Sequence, residues 1–331
     1  MQIEGRTIGE ISEEVKKIPS PHLFLTACRF LPYSFDMQPE EKHFGPIWFI
    51  PGINRGRYPY CNSVYIQGPG IIIDPASDED RLKEIRDREG VNEVWLSHWH
   101  EDHFTYLDLF GDVPLRICRK DAPPLMDIEV LLDWYNPRQS HRDYWRHMIE
   151  ETFHFRPREP ASYLEDGDVI PFGNATVEVI GAPGHTPGHL ALLFREQGIL
   201  FLGDYDMTSF GPWYGDLYSS IEDTIDSLGR LRATPANIWF TGHDTGVFTD
   251  NGTKLWQQYE NVIYEREAKL LNLIVTPHSI DEIVQSWLIY GKPREPLAFF
   301  EFGERALTVK HLERLLSKGL IEVVDGKYVR S

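Results

Sequence analysis

The sequence predicts an α/β layered fold followed by a small C-terminal unit, and three observations carry that prediction. From Pro46 to about Phe248, short apolar runs punctuated by Gly and Pro alternate with amphipathic stretches, the pattern of interleaved strands and helices. After about Leu255 the texture changes to longer amphipathic stretches that end in a hairpin signal. At 331 residues, with 41% hydrophobic and 25% charged residues, the chain is an ordinary globular one, long enough for one large domain and a small one. This divides it into an extension over 1–45, a large unit over 46–255 and a C-terminal unit over 256–331. The extension carries no functional signal.

The elements follow in order. The runs at 48–50, 63–67 and 70–75 read as strands. Residues 78–90 read as a helix, with Asp78 as N-cap, Leu82 and Ile85 as a narrow apolar stripe and Gly90 as its stop. VNEVWLS, from Val91 to Ser97, is a strand that delivers a histidine cluster. A second series repeats the theme: strands at 169–173, 175–184, 190–194 and 199–204, a helix at 219–231 and a strand at 237–244. Between the series lies a mostly helical insertion at about 120–160. There Arg138, Arg142 and Arg146 recur every four residues and are expected on one helix face. They serve either as a salt-bridged solvent face, with Glu150 four residues after Arg146, or as a pocket wall that meets an anionic substrate. In the C-terminal unit, 260–274, 279–291 and 308–319 read as helices, Ser279 capping the second, and a hairpin turns at Asp325-Gly326. Three helices and a hairpin form a winged-helix pattern.

Charge and cysteine use narrow the function classes. Lys and Arg number 33 against 51 Asp and Glu, a net charge of -18, which disfavours broad capture of nucleic acid or anionic membrane. Cys28, Cys61 and Cys118 are too few for a disulfide framework, as suits a reducing cytoplasm. The N-terminus shows no apolar signal region, and no run reaches the roughly 18 apolar residues of a spanning helix.

Chemistry concentrates in LSHWHEDHF, Leu96 to Phe104, where His98, His100, Glu101, Asp102 and His103 crowd together. If the strand ends near His98, side chains two apart point the same way, so His98 and His100 can bind one ion. Asp102 and His103, at a helix start, can reach a second. His185 in APGHTPGHL, Asp204 in LFLGDYD and His243 in FTGHDTG each stand at a strand or loop end. Imidazole and carboxylate suit zinc and similar ions. His98, His100 and His185 would serve one metal, Asp102 and His243 the other with His103 able to join, and Asp204 could hold both. A hydroxide shared by two ions would then be available near neutral pH.

HWHEDH, GHTPGH, the Asp of LFLGD, the His of FTGHD and the Asp of IIIDP resemble the successive motifs of the metallo-β-lactamase superfamily. The match covers roughly 46–250. It implies a four-layered αβ/βα sandwich of two similar halves with the metals at one edge, Asp204 bridging, and Asp74 and His189 supporting the site from behind. The site is most similar to the glyoxalase II-like branch, and the C-terminal HLERLLSKGLIE is similar to the winged-helix tail of β-lactamase-like hydrolases. The expected function is a dinuclear hydrolase of a small ester, thioester or lactone, with a metal-bridging hydroxide as nucleophile and Asp102 or Asp204 helping to orient it. Two divalent ions are expected, zinc first, with iron or manganese as alternatives. Phe210, Trp213 and Tyr214 are expected to line the pocket. A nuclease or phosphodiesterase, a mononuclear-iron persulfide dioxygenase-like oxidoreductase and a metal-stabilised scaffold remain the alternatives. The winged-helix-like tail is read as a packing or homodimerising element ahead of a nucleic-acid binder.

Overall fold

A computed structural model describes residues 40–249 and 252–331; most of the N-terminal extension, with Cys28, lies outside the described residues. The first sheet has seven strands in chain order: β1 (Lys42–Phe44), β2 (Ile47–Ile50), β3 (Ser63–Ile66), β4 (Ile71–Ile73), β5 (Glu93–Trp95), β6 (Leu115–Ile117) and β7 (Ser162–Tyr163). β1 to β4 pair antiparallel and β4 to β7 run parallel. The second sheet comprises β8 (Val169–Pro171), β9 (Thr176–Gly181), β10 (Leu190–Phe194), β11 (Ile199–Phe201), β12 (Ile238–Phe240) and β13 (Val247–Phe248). Its order is β13-β12-β11-β10-β9-β8, antiparallel except between β11 and β12.

The helices are α1 (Glu79–Glu84), α2 (Glu101–Phe104), α3 (Pro123–Met126), α4 (Ile128–Tyr135), α5 (Arg142–Glu151), α6 (Ile221–Ala233), α7 (Thr253–Leu273), α8 (Ile280–Val284) and α9 (Leu297–Ser317). A C-terminal hairpin of β14 (Ile321–Val324) and β15 (Lys327–Arg330) follows. Alternation along the strands decides the layers. Phe49 of β2, Val64 of β3, and Ile71 and Ile73 of β4 face the second sheet, where Val179 of β9 and Leu192 of β10 meet them. The intervening Trp48, Tyr65 and Ile72 turn instead toward Leu82 of α1, Leu131 of α4 and Trp145 of α5. On the second sheet Ala191, Leu193 and Leu200 pack outward against Leu228 of α6 and Trp256 of α7. Both sheets are thus covered on both faces, which is why their strands read as unbroken apolar runs. Each such fully buried aliphatic side chain contributes roughly 1.5–3 kcal/mol.

Local signals behave as their chemistry requires. The Asp78 carboxylate accepts from the Arg81 amide at 2.8 Å to start α1. Gly90, at φ +84°, closes a wide last turn whose amide returns to the Ile85 carbonyl. Three expectations change. Arg138, Arg142 and Arg146 do not share a helix face, because Arg138 is extended (ψ 139°) and α5 begins only at Arg142, after a tight turn over Gln139–His141. Arg142 and Arg146 instead grip Glu129 of α4 at 2.9 and 2.5 Å, and Glu150 is not their partner. The helix expected over 279–291 stops at Val284, since the Glu304 carboxylate accepts from the Ile289 and Tyr290 amides at 2.9 and 3.0 Å. The C-terminal region is therefore two 21-residue helices around one of five residues, closed by the hairpin.

Candidate metal centre

The chemistry gathers where strands of both sheets end. His98, Asp204 and His243 each stand three residues past β5, β11 and β12, Asp74 directly follows β4, and His185 lies in the loop between β9 and β10. β5 stops at Trp95, so His98 and His100 sit on a loop before α2 rather than on the strand itself. The loop still turns both rings inward. The Nε2 of His185 lies 3.1 Å from Nε2 of His98 and 2.9 Å from Nδ1 of His100. Around the corner, Nε2 of His243 lies 3.2 Å from Nε2 of His103 and 3.4 Å from Oδ2 of Asp102. Between the two groups stands Asp204. Its Oδ1 is 2.7 Å from His103 and 3.3 Å from His243, while its Oδ2 is 3.4 Å from His185 and 3.8 Å from His98.

Every inward-facing imidazole is held by its other nitrogen. His98 Nδ1–H donates to Ser97 Oγ at 2.9 Å, and the serine hydroxyl donates in turn to Asp74 Oδ2 at 2.7 Å. His103 Nδ1–H donates to Asp74 Oδ2 at 2.9 Å, and His100 Nε2–H to Asp216 Oδ2 at 2.7 Å. His185 Nδ1–H and His243 Nδ1–H donate to the carbonyls of Trp213 and Gly56 at 3.1 and 2.5 Å. Such outer contacts fix the tautomer, so the inward nitrogen carries a lone pair. Buried lone pairs facing one another repel unless a cation lies between them. Ligands 2.0–2.1 Å from a tetrahedral zinc ion stand about 3.3 Å apart, close to the spacing of these nitrogens. The donor set therefore fits a divalent metal ion.

Electrostatics divide the imidazoles. Burial holds His98 well below the usual histidine range and brings His185 down to about 4, so both stay neutral. Burial would lower His103 and His243 too, but the Asp204 carboxylate raises both. Burial alone would raise Asp204, yet His103 and then His243 hold it well below the carboxylate range. His189 is buried and stands behind the site, its Nε2 accepting from the Asp204 amide at 3.1 Å.

A cleft of about 750 Å³ opens on this centre and reaches His100, Asp102, His185 and Asp204. Phe210 and Trp213 line it. Tyr214 does not: it is fully buried beside Arg266 and His311, because the turn that exposes Trp213 points its neighbour inward. Arg138, Arg142 and Arg146 also lie outside the cleft, tied up in the ion pairs of the helical insertion; Arg138 reaches Asp281 and Glu301 at 3.1 and 3.3 Å. Sequence reasoning missed Asp216, which nothing in FGPWYGDLYSS distinguishes from a solvent carboxylate. It singled out Glu101 within the cluster but gave it no role; the buried carboxylate accepts from the hydroxyls of Tyr58 and Tyr135. It also missed the tail's share of the cleft wall: Tyr290, Phe299, Phe300 and Phe302.

The model of the metallo-beta-lactamase superfamily matches residues 57–243. The chain belongs to that superfamily. Its hydroxyacylglutathione hydrolase relative from Thermosynechococcus vestitus is 39% identical over 211 residues, covering 60% of this chain and 71% of the relative. The acyl-coenzyme A thioesterase MBLAC2 of Gallus gallus is 33% identical over 140 residues, 41% of this chain and 48% of that protein. In fold, a metallo-beta-lactamase family protein from Thermus thermophilus superposes with a TM-score of 0.65 at 22% identity, over 86% of this chain and 99% of the other. Family and relatives make this superfamily member a hydrolase, and its His/Asp clusters can hold metal.

Proposed function

We propose that this hydrolase is dinuclear and cleaves a small carbonyl ester, a thioester before a lactone. One observation carries the reading: the two oxygens of Asp204 face two separate donor groups, His98–His100–His185 and Asp102–His103–His243. Zinc is the first choice for both positions, with iron or manganese as alternatives. Bound there, divalent ions would polarise the carbonyl and lower the pKa of attacking water. The chain's own residues do the rest. Asp102 and Asp204 offer carboxylate oxygens that can orient the nucleophile. Trp213 and Phe210 line the cleft beside the histidines and offer apolar surface to the substrate.

The donor set on the far side of Asp204 supports two ions over the mononuclear oxidoreductase reading. Against a nuclease, several cationic side chains of the tail are paired within the molecule. Arg305 meets Asp281, Arg314 meets Glu267 and Glu222, Lys318 meets Glu222 and Lys327 meets Glu282. The relatives' names point to thioesters: one is an acyl-coenzyme A thioesterase. Elemental analysis of protein purified without chelator should return close to two metal equivalents per chain, and His185→Ala should abolish thioester hydrolysis. One equivalent of iron with oxygen uptake, or full activity in the alanine variant, would overturn the proposal.

A further inference from the structure

The wall of the cleft opposite the metal centre comes from the C-terminal region. Phe299, Phe300 and Phe302 of α9 and Tyr290 before it line the cleft, and the Tyr290 ring packs on Phe210 with centroids 5.3 Å apart. The Phe299 and Phe302 rings pack onto Trp145 of α5 at 5.8 and 4.7 Å, so this wall is anchored to the helical insertion. At its exposed rim stand two cations, Lys292 and Arg294. The Arg294 guanidinium lies 5.8 Å from the centres of both Tyr290 and Phe300, held against the aromatic wall. Among the described residues neither cation pairs with a carboxylate. Glu295 lines the same cleft and accepts from the Leu297 amide at 3.0 Å where α9 begins. In a chain of net charge -18, two cations against one carboxylate leave this rim positive beside an apolar slot and a reactive centre, a complementary surface for an anion.

We propose that this tail-built wall is a substrate subsite for a thioester with an extended apolar acyl group and a phosphorylated carrier. Its acyl group lies against Phe299, Phe300 and Tyr290, and its phosphate meets Lys292 and Arg294. The assignment rests on the thioesterase reading above. In the reaction, water oxygen bonds to the carbonyl carbon, the carbon–sulfur bond breaks, and the carrier leaves as a thiol with a proton from water.

The test compares decanoyl-coenzyme A with the same acyl group on N-acetylcysteamine, which has no phosphate. The coenzyme A ester should be preferred at least about tenfold in kcat/KM, and over acetyl-coenzyme A by a similar margin. A Lys292→Gln, Arg294→Gln double variant should erase the carrier preference by raising KM for the coenzyme A ester alone. Both residues are exposed, so the variant should fold. The decyl thioether of coenzyme A, which cannot be hydrolysed, should bind the protein as purified at least about tenfold more weakly in the double variant, read from tryptophan fluorescence. Equal rates for the two carriers, or unchanged thioether binding in the variant, would overturn the subsite. Loss of preference only for an ω-carboxydecanoyl N-acetylcysteamine ester would move the anion to the acyl group and overturn the carrier assignment. Thioether binding as expected with no thioester hydrolysis at all would overturn the thioesterase reading while leaving the subsite standing.

Discussion

His100 is constrained twice: its Nδ1 joins the metal-facing trio while its Nε2–H donates to Asp216 at 2.7 Å. Asp216 is itself held, accepting from the Trp213 indole at 3.2 Å, and it is almost fully buried. The resulting carboxylate–histidine pair sets the ring's tautomer and makes Nδ1 a stronger donor. Burial would lower His100, but the Asp216 charge and hydrogen bond push it up to about 9. Removing that support while keeping the side chain's shape isolates its effect. Asp216→Asn is expected to reduce kcat about 10–100-fold with little change in KM, and to weaken metal binding in a chelator competition. A full-rate variant with unchanged metal affinity would show that Asp216 merely fills space.

At the scale of elements, α7 holds the loop that positions His185. Arg266 of α7 is buried and donates to the carbonyls of Phe210 and Pro212 at 2.5 and 2.9 Å and to the Tyr214 hydroxyl at 2.9 Å. Trp213, inside the same turn, accepts from His185. Arg266→Met leaves those carbonyls buried and unpaired, at about 1–3 kcal/mol each. The denaturant midpoint should fall accordingly, and bound metal per chain should fall with it. Retention of both would refute the coupling. A second element contact is pH-sensitive. The Ser279 amide and hydroxyl and then Lys327 push the Glu282 carboxyl down to about 2, joining α8 to the hairpin. Because the folded pKa lies below the unfolded one, near 4.3, this stabilisation is present above about pH 4.3. It is lost as pH falls toward 2. Thermal midpoints of the protein and of Glu282→Gln should differ at pH 7 and converge by pH 2–3. A gap that stays constant with pH would deny the carboxylate this role.

For the whole molecule, the centre joins the two sheets, since His98 follows a strand of the first and His243 a strand of the second. Metal bound there ties the halves together and binds the folded chain alone. At a thousand times the dissociation constant, such a ligand contributes about 4 kcal/mol. Removing it also leaves inward lone pairs and carboxylates facing one another. Chelation should therefore lower the calorimetric unfolding temperature by several degrees, and zinc should restore it. An unmoved transition would mean that the donor groups hold no structural metal. The tail belongs to this same unit: Phe299 and Phe302 pack into the first sheet's helical layer, and Leu307 of α9 meets Tyr214 and Ile221. No described helix is long and apolar enough to cross a membrane.

The sequence by itself determined the layered α/β order, because apolar runs buried on both faces and capped helices are local signals that survive in one dimension. It also marked the ligand-type residues, since HWHEDH, GHTPGH, the Asp of LFLGD and the His of FTGHD are dense enough in imidazole and carboxylate to stand out. Tertiary structure alone decided what surrounds them. Arg142 and Arg146 turn to Glu129 of α4, while Arg138, left outside α5, reaches Asp281 and Glu301. Residues past Val284 left the helix because Glu304, distant in sequence, captured their amides. Asp216 meets His100 from 116 residues away, and the phenylalanines of α9 reach the cleft from farther still, which no local pattern encodes. Ligand identity is chemistry carried by single residues; support and specificity are packing, and packing exists only once the chain has folded.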